Sequence, residues 1–285
     1  MAVHTLALVV ITLVAAVVNG ALGYGFSSIT VPLALLFLTN RTLNPALVLI
    51  EVALNAYVLW VNRRALPLVW RRTRPIVVGL LPGVAVGTLL VAQVSPGWLK
   101  FATYVTLLPF ILLQAAGYRR PIRSEQSAGL VFGGGLGALY AVTTISGPPL
   151  ALALNNQGFS KQEFRAALGV VRLAESTLTV VAYLAAGLFS RAAMTLIPQI
   201  LPSVAIGVPI GAIVIQHVRP ETFRRVCMSF DAWVVSFGAS TLLRELHLVE
   251  SHAAYLVMVA VILLDAWLLL RFFSAAQKQV VTYAA

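Results

Sequence analysis

The chain has 285 residues, of which 60% are hydrophobic and only 10% charged, where a soluble domain carries about 25% charged residues. Apolar segments of about 18–25 residues succeed one another along its length, each long enough to span a bilayer, which excludes a water-soluble fold and predicts an all-α polytopic membrane protein. The net charge of +11 sits mostly in short stretches between those segments, where positive charge sets topology, so no nucleic-acid partner is expected.

The first apolar run, His4 to Val18, lacks a positive n-region and is followed directly by more apolar sequence. It therefore reads as part of the mature protein and not as a secretory signal. It ends at Asn19-Gly20-Ala21-Leu22-Gly23-Tyr24-Gly25-Phe26-Ser27-Ser28, where glycines and serines mark a break, and a short apolar piece from Pro32 to Thr39 follows. Each flanking piece is near the lower length limit for a span, which predicts a re-entrant or deep hairpin. Asn44 to Val61 reads as a span with Glu51 at its centre and Asn55 one turn later on the same face. Asn62 to Arg74 holds Arg63, Arg64, Arg71, Arg72 and Arg74 with no acid, and reads as a loop. Pro75 to Ala92 is a span whose Gly79, Gly83 and Gly87 form a small-residue stripe suited to close helix packing. Trp98 to Ala116 spans again, and Arg119, Arg120 and Arg123 fill the loop after it.

Leu130 to Val142 leads into a second break, Thr143-Thr144-Ile145-Ser146-Gly147-Pro148-Pro149. Regular helix cannot run through it: each proline removes a donor and pushes the residue before it out of the helical region. Pro149 can sit in the first turn of the next helix, which would aim free N–H groups and a positive dipole end at the gap. Hydroxyls beside a helix N-terminus in a broken span suit an anion. A proline kink that aids packing is the competing reading. Phe164 to Gly187 is a span with Arg172 and Glu175 three residues apart on one face. Met194 to Gln216 follows, then a basic loop from Arg219 to Arg225. Val226 to Leu243 carries Asp231. After the net acidic loop Arg244 to His252, the last span, Ala253 to Phe273, carries Asp265. Both aspartates read as packing or interfacial groups.

The halves echo each other. Pro32-Leu33-Ala34-Leu35 matches Pro149-Leu150-Ala151-Leu152, and Leu80-Leu81-Pro82-Gly83 matches Ile200-Leu201-Pro202-Ser203, at offsets of 117 and 120. Residues 1–125 then form a first unit, a broken hairpin plus three spans. Residues 126–245 form a second, and 246–285 an extra span and tail. Three spans change sides, so the second unit should be inverted. Charge agrees: with the Arg63–Arg74 stretch inside, only Arg41, Lys100, Arg191 and Arg244 fall outside, and all other Lys and Arg except the intramembrane Arg172 fall inside.

Charged groups deep in spans are functional suspects by default. Arg172 lies about 12 Å along its helix from Phe164. The repeat register sets Glu51 near its counterpart, so the two would pair across a pseudo-two-fold. A local Arg172–Glu175 pair that fixes packing is the alternative. The candidate substrate-binding residues are Asn19, Ser27, Ser28, Thr143, Thr144, Ser146, Gly147 and Arg172, with Glu51 and Glu175 as coupling or ion-pair groups. The other role open to the hydroxyls is to bond the freed backbone.

Gly20-Ala21-Leu22-Gly23-Tyr24-Gly25 leading to Pro32, and Ser146-Gly147-Pro148-Pro149 followed by Leu-Ala-Leu, resemble the sulfite exporter TauE/SafE family of membrane transporters, across both halves. Here Gly25-Phe26-Ser27-Ser28 stands where that family often has three glycines. The resemblance implies transport of small anions, chiefly oxidised sulfur compounds such as sulfite, sulfonates or thiosulfate. An anion channel, or a permease for small carboxylates, is the alternative. No Walker motif, Ser-His-Asp arrangement or HExxH is present, so neither ATP use nor an enzyme is expected. The single Cys227 and four scattered histidines predict no metal and no cofactor. The expected partners are a small anionic substrate and the lipid bilayer of the cell (inner) membrane. A coupling proton or sodium ion, and a homo-oligomer, are compatible with this class.

Overall fold

The structure, a computed structural model, describes residues 2–116, 125–155, 159–218 and 220–284. Arg119, Arg120, Arg123 and Arg219 therefore lie outside the described residues. In chain order the helices are α1 (Ala2–Leu22), α2 (Phe26–Ala34), α3 (Asn40–Val61), α4 (Leu66–Gln93), α5 (Pro96–Ala115), α6 (Glu125–Thr143), α7 (Gly147–Asn155), α8 (Lys161–Ala185), α9 (Arg191–His217), α10 (Pro220–Glu245) and α11 (Leu256–Ala284), with short 3-10 turns at Arg63–Ala65 and His252–Tyr255. No strand occurs among the described residues. Eight of the helices are long and apolar enough to cross a membrane. Large apolar side chains such as Leu68, Leu89, Val131, Leu201 and Leu270 stand exposed around the outside, an arrangement that lipid satisfies and water does not. This is a multi-pass membrane protein.

Two expectations about element boundaries are corrected. Arg71, Arg72 and Arg74 lie on helix α4, which starts at Leu66 with Pro67 in its first turn. Proline is pre-organised for that position, and arginine is a good helix former, so the helix extends past the apolar stretch. The piece before the first break is also not short: α1 is itself long enough to cross.

Glycines set how the helices pair. Gly79 lies against Leu130 and Gly133, Gly83 against Gly134 and Ala138, and Gly87 against Ala138 and Ala141, so α4 and α6 run side by side in the same direction. Gly207 lies against Leu13 and Ala16, and Gly211 against Val17 and Ala21, so α1 and α9 do the same. α3 and α8 cross antiparallel, with Leu59 on Gly169 and Glu51 on Arg172. Small residues allow this close backbone approach where lipid offers no hydrophobic drive between helices. An added Cβ at Gly83 would sit 2.0 Å from the Gly134 carbonyl oxygen, whereas one at Gly135 meets nothing within 4 Å. Gly83→Val is therefore expected to cost at least about 1–3 kcal/mol, and Gly135→Ala to stay within about 0.5 kcal/mol of wild type. Thermal unfolding in detergent checks both; equal midpoints would contradict the close pairing.

Two large apolar clusters fill most of the interior, with smaller ones at Val48, Tyr140 and Tyr183 and at Val91, Leu99 and Val142. One gathers Phe26, Ile29, Leu43, Tyr104 and Met228 around α2; the other gathers Leu80, Leu136, Leu150, Leu154 and Leu168 around α7. The broken segments thus lie at the centre, each half-helix in its own apolar surround.

Candidate functional site

The first break covers Gly23, Tyr24 and Gly25. Gly25 has φ 111°, a conformation that glycine alone adopts cheaply, and it caps α2 with no side-chain hydrogen bond. Ser27 and Ser28 thus belong to the first turn of α2, whose leading N–H groups have no side-chain cap. Pro32 lies inside α2 and does not open it. The Pro32 carbonyl accepts the Tyr104 hydroxyl at 2.7 Å.

The second break runs from Thr144 to Ser146. Thr144 takes the left-handed conformation with φ 56°. The carbonyls that the break frees at the end of α6 find side-chain donors, as buried backbone must. Asn44 Nδ2 donates to the Val142 carbonyl at 2.7 Å, Asn40 Nδ2 to the same oxygen at 3.2 Å, and the Tyr183 hydroxyl to the Ala141 carbonyl. The Thr143 hydroxyl donates to the Leu139 carbonyl at 2.7 Å and accepts from the Ile145 N–H at 3.0 Å; the Thr144 hydroxyl donates to the Thr143 carbonyl at 2.7 Å. Both threonines hold freed backbone. The expectation of several free N–H groups at the start of α7 is corrected too. Gly147 is its first residue, Pro148 and Pro149 have no N–H, and the Leu150 N–H is bonded to the Ser146 carbonyl. Of that first turn only the Gly147 N–H is left to point at the gap.

The two breaks touch. An added Cβ at Gly147 would meet the Tyr24 ring at 3.1 Å. Around this contact lies a buried polar network. Glu51 is fully enclosed near the midpoint of α3, and Arg172 is buried near the midpoint of α8. Arg172 Nη2 pairs with Glu51 Oε1 at 2.9 Å. The Ser27 hydroxyl donates to the same oxygen at 2.5 Å, and the Tyr140 hydroxyl donates to Oε2 at 2.6 Å. One turn further along α8, Glu175 Oε2 accepts the Ser146 hydroxyl at 2.5 Å. Arg172 Nε and Nη1 and Glu175 Oε1 are buried with no hydrogen-bond partner among the described residues.

The sequence-selected residues thus divide. Ser27, Glu51, Arg172, Ser146 and Glu175 come together, and each break contributes one serine to one glutamate. The pairing of Arg172 with Glu51 is the one the repeat register points to; no local Arg172–Glu175 salt bridge forms. Ser28 faces away, toward α10. Asn19 is buried, and its carbonyl accepts the Gly23 N–H at 2.7 Å. Sequence reasoning passed over Asn40, Asn44, Tyr140 and Tyr183. Polar-tipped residues in otherwise apolar spans beside a break were the available signal. Among the described residues, no group of three His, Cys, Asp or Glu could hold a metal ion.

The family model described as sulfite exporter TauE/SafE matches residues 8–238. The chain belongs to the TauE/SafE family. It is thus a membrane transporter of a family that handles sulfur anions such as sulfite, and that family is one of transporters and not of enzymes. Neither the curated proteins nor the solved structures compared with the chain include a match. The matched residues include both breaks and the whole buried network; α11 lies beyond them. In this TauE/SafE chain α11 is tied on by a second buried pair, Arg225 Nη2 to Asp265 Oδ1 at 2.8 Å, with Trp233 Nε1 donating to Oδ2 at 3.1 Å. Asp265 is the packing group that the sequence reading expects.

Proposed function

We propose that the chain is a secondary transporter that carries a small sulfur oxyanion across the cell (inner) membrane, binding it where the two broken helices meet at mid-membrane. The observation that carries this reading is Arg172. It is a buried guanidinium with two nitrogens unpartnered by protein, and it shares one carboxylate with a serine from the first half-helix. A planar fork of donors suits an oxyanion. The anion takes the free Nε and Nη1 edge, and Ser27 and Ser146 lend hydroxyls as it displaces their hold on the glutamates. Glu51 offsets the charge of Arg172, so Glu175 must carry a proton or sit beside a sodium ion when the anion binds, and the two glutamates are the groups through which either ion would couple.

The helix directions support an inverted arrangement of residues 1–125 and 126–245. α1 runs with α9 and α6 with α4, while Arg41 at the start of α3 donates to the Val91, Ala92 and Val94 carbonyls at the end of α4. Followed through the antiparallel α3–α8 crossing, these pairings bring the two hairpins in from opposite ends. One of the alternating states of a transporter then becomes the other when the halves exchange conformations. Thermal-shift screening of the purified protein against sulfite, thiosulfate, sulfoacetate, taurine and small carboxylates tests the substrate class. Stabilisation by at least one sulfur oxyanion is expected, and a response to carboxylates alone would overturn it.

The topology is checked separately. In a Cys227→Ser background, cysteines at Thr222 and Ser251 are expected to label from opposite sides, Thr222 from the cytoplasm. Labelling of both from one side would contradict the inverted arrangement.

A further inference from the structure

The serine–glutamate–arginine network occupies the side of the breaks that faces α3 and α8. Their other side faces α10, and a second polar cluster lies there. Arg224, Cys227 and Asp231 fall on one face of α10 and line a small cavity together with Gly25 of the first break, Ser28 of α2 and Pro148 of α7. The uncapped first turn of α2 opens into this cavity. Asp231 is only 7% exposed, yet the two salt bridges among the described residues are Arg172–Glu51 and Arg225–Asp265, and no hydrogen bond from a described residue reaches its carboxyl. Its neighbour Arg225 is committed to α11; Arg224, two turns before Asp231, forms no ion pair with a described residue.

We propose that this cavity is the anion's way in from the arginine-rich end of the bundle, with Arg224 and the first turn of α2 as its binding groups and Asp231 as a carboxyl that must carry a proton for the anion to pass. The proposal rests on the transport reading above. An anion in the cavity is drawn to the guanidinium and to the N–H groups at the positive end of α2. An ionised Asp231 would repel it strongly in so dry a place. Anion occupancy and protonation of Asp231 therefore favour each other, and the linkage is reciprocal. The step moves one proton from water onto a carboxylate oxygen and back to water on the other side; no other bond is made or broken. The titratable and charged groups that face Asp231 are Arg224 and Cys227 on its own helix and Tyr24 from the first break. Ile111 of α5 and Pro148 of α7 bring none, and Asp265 of α11 is turned to Arg225 and Trp233. The cavity holds about 20 Å³, room for about one water molecule. An anion passes only when α10 parts from the breaks.

Cys227 is the chain's one cysteine and lines the cavity, so the wild-type protein carries its own reporter. The measurement is the rate of Cys227 modification in purified protein by an anionic, sulfonate-bearing methanethiosulfonate reagent and by its cationic trimethylammonium analogue, as a function of pH. The ratio of the two rates cancels the changing thiolate content. In wild type the anionic-to-cationic ratio should rise roughly tenfold as pH falls, within the usual range of site-to-site coupling. In Asp231→Asn it should be high and flat, and in Arg224→Gln it should be lower at every pH. A flat ratio in wild type, an unchanged slope in Asp231→Asn, or no reaction with either reagent would overturn the proposal. No substrate is needed, so this result stands or falls apart from substrate binding at Arg172.

Discussion

Arg172→Gln is expected to abolish uptake of the transported anion into proteoliposomes, and Arg172→Lys to restore little of it. The proposed site gives the guanidinium two jobs. One nitrogen holds Glu51 at 2.9 Å, and two others are unpartnered by protein. Losing two charge-assisted bonds to the anion, each worth about 1.5–3 kcal/mol, weakens binding by a factor of roughly a hundred or more. A lysine keeps the charge but presents a compact ammonium in place of the planar fork. The single substitution also leaves Glu51 buried without its cation, which costs about 3–5 kcal/mol of stability. Loss of uptake in Arg172→Gln alone therefore mixes two effects. The double variant Glu51→Gln/Arg172→Gln separates them, because it leaves no uncompensated charge buried, which is the main cost of the single change. It is expected to unfold near the wild-type temperature and still fail to transport. Normal uptake by the double variant would make Glu51–Arg172 a packing pair.

The two serines should not be equivalent. Glu51 has Ser27, Tyr140 and Arg172, so Ser27→Ala removes one bond of three from a well-held carboxylate. Glu175 has Ser146 on one oxygen and no partner on the other. Ser146→Ala leaves that enclosed carboxyl with no hydrogen bond from a described residue. The first change is expected to cost about 0.5–1.5 kcal/mol, and the second about 1–3 kcal/mol, the difference between losing a net bond and stranding a buried polar group. Anion binding should weaken in the same order, since the proposed site draws the Ser146 hydroxyl between Glu175 and the substrate. Paired thermal unfolding and anion titration of the two alanine variants measure both. A larger loss in Ser27→Ala, or no loss in either, would show that the hydroxyls do not hold the carboxylates in the working protein.

Much of this arrangement was legible because it follows from strong local rules. Proline and glycine cannot be hidden inside a span, so Gly23 to Gly25 and Ser146 to Pro149 announced the breaks. Glu51 and Arg172 stood out because a charge in hydrocarbon needs a reason, and the register of the two halves suggested that they meet. The rest depended on three-dimensional facts that no local pattern carries. That α2 begins at Phe26, six residues before Pro32, follows from how Gly25 caps it. Thr143 and Thr144 looked like ligands by composition, but the Thr143 hydroxyl is held by the Leu139 carbonyl and the Ile145 N–H, and the Thr144 hydroxyl by the Thr143 carbonyl. Asn40, Asn44 and Tyr183 reach the end of α6 from 42 to 102 residues away, a separation at which sequence offers no pairing signal. Asp231 and Asp265 read alike as packing aspartates. One meets Arg225 and Trp233 and the other faces a cavity, a difference set by which side of α10 receives α11.

Calorimetric titration of purified protein with sulfite and thiosulfate, wild type beside Glu51→Gln/Arg172→Gln, reaches the central claim most directly. The account predicts saturable binding of at least one of these anions to the wild type, weakened roughly a hundredfold or more in a double variant that remains folded. Equal affinity in the two proteins, or no binding of either anion to the wild type, would contradict it.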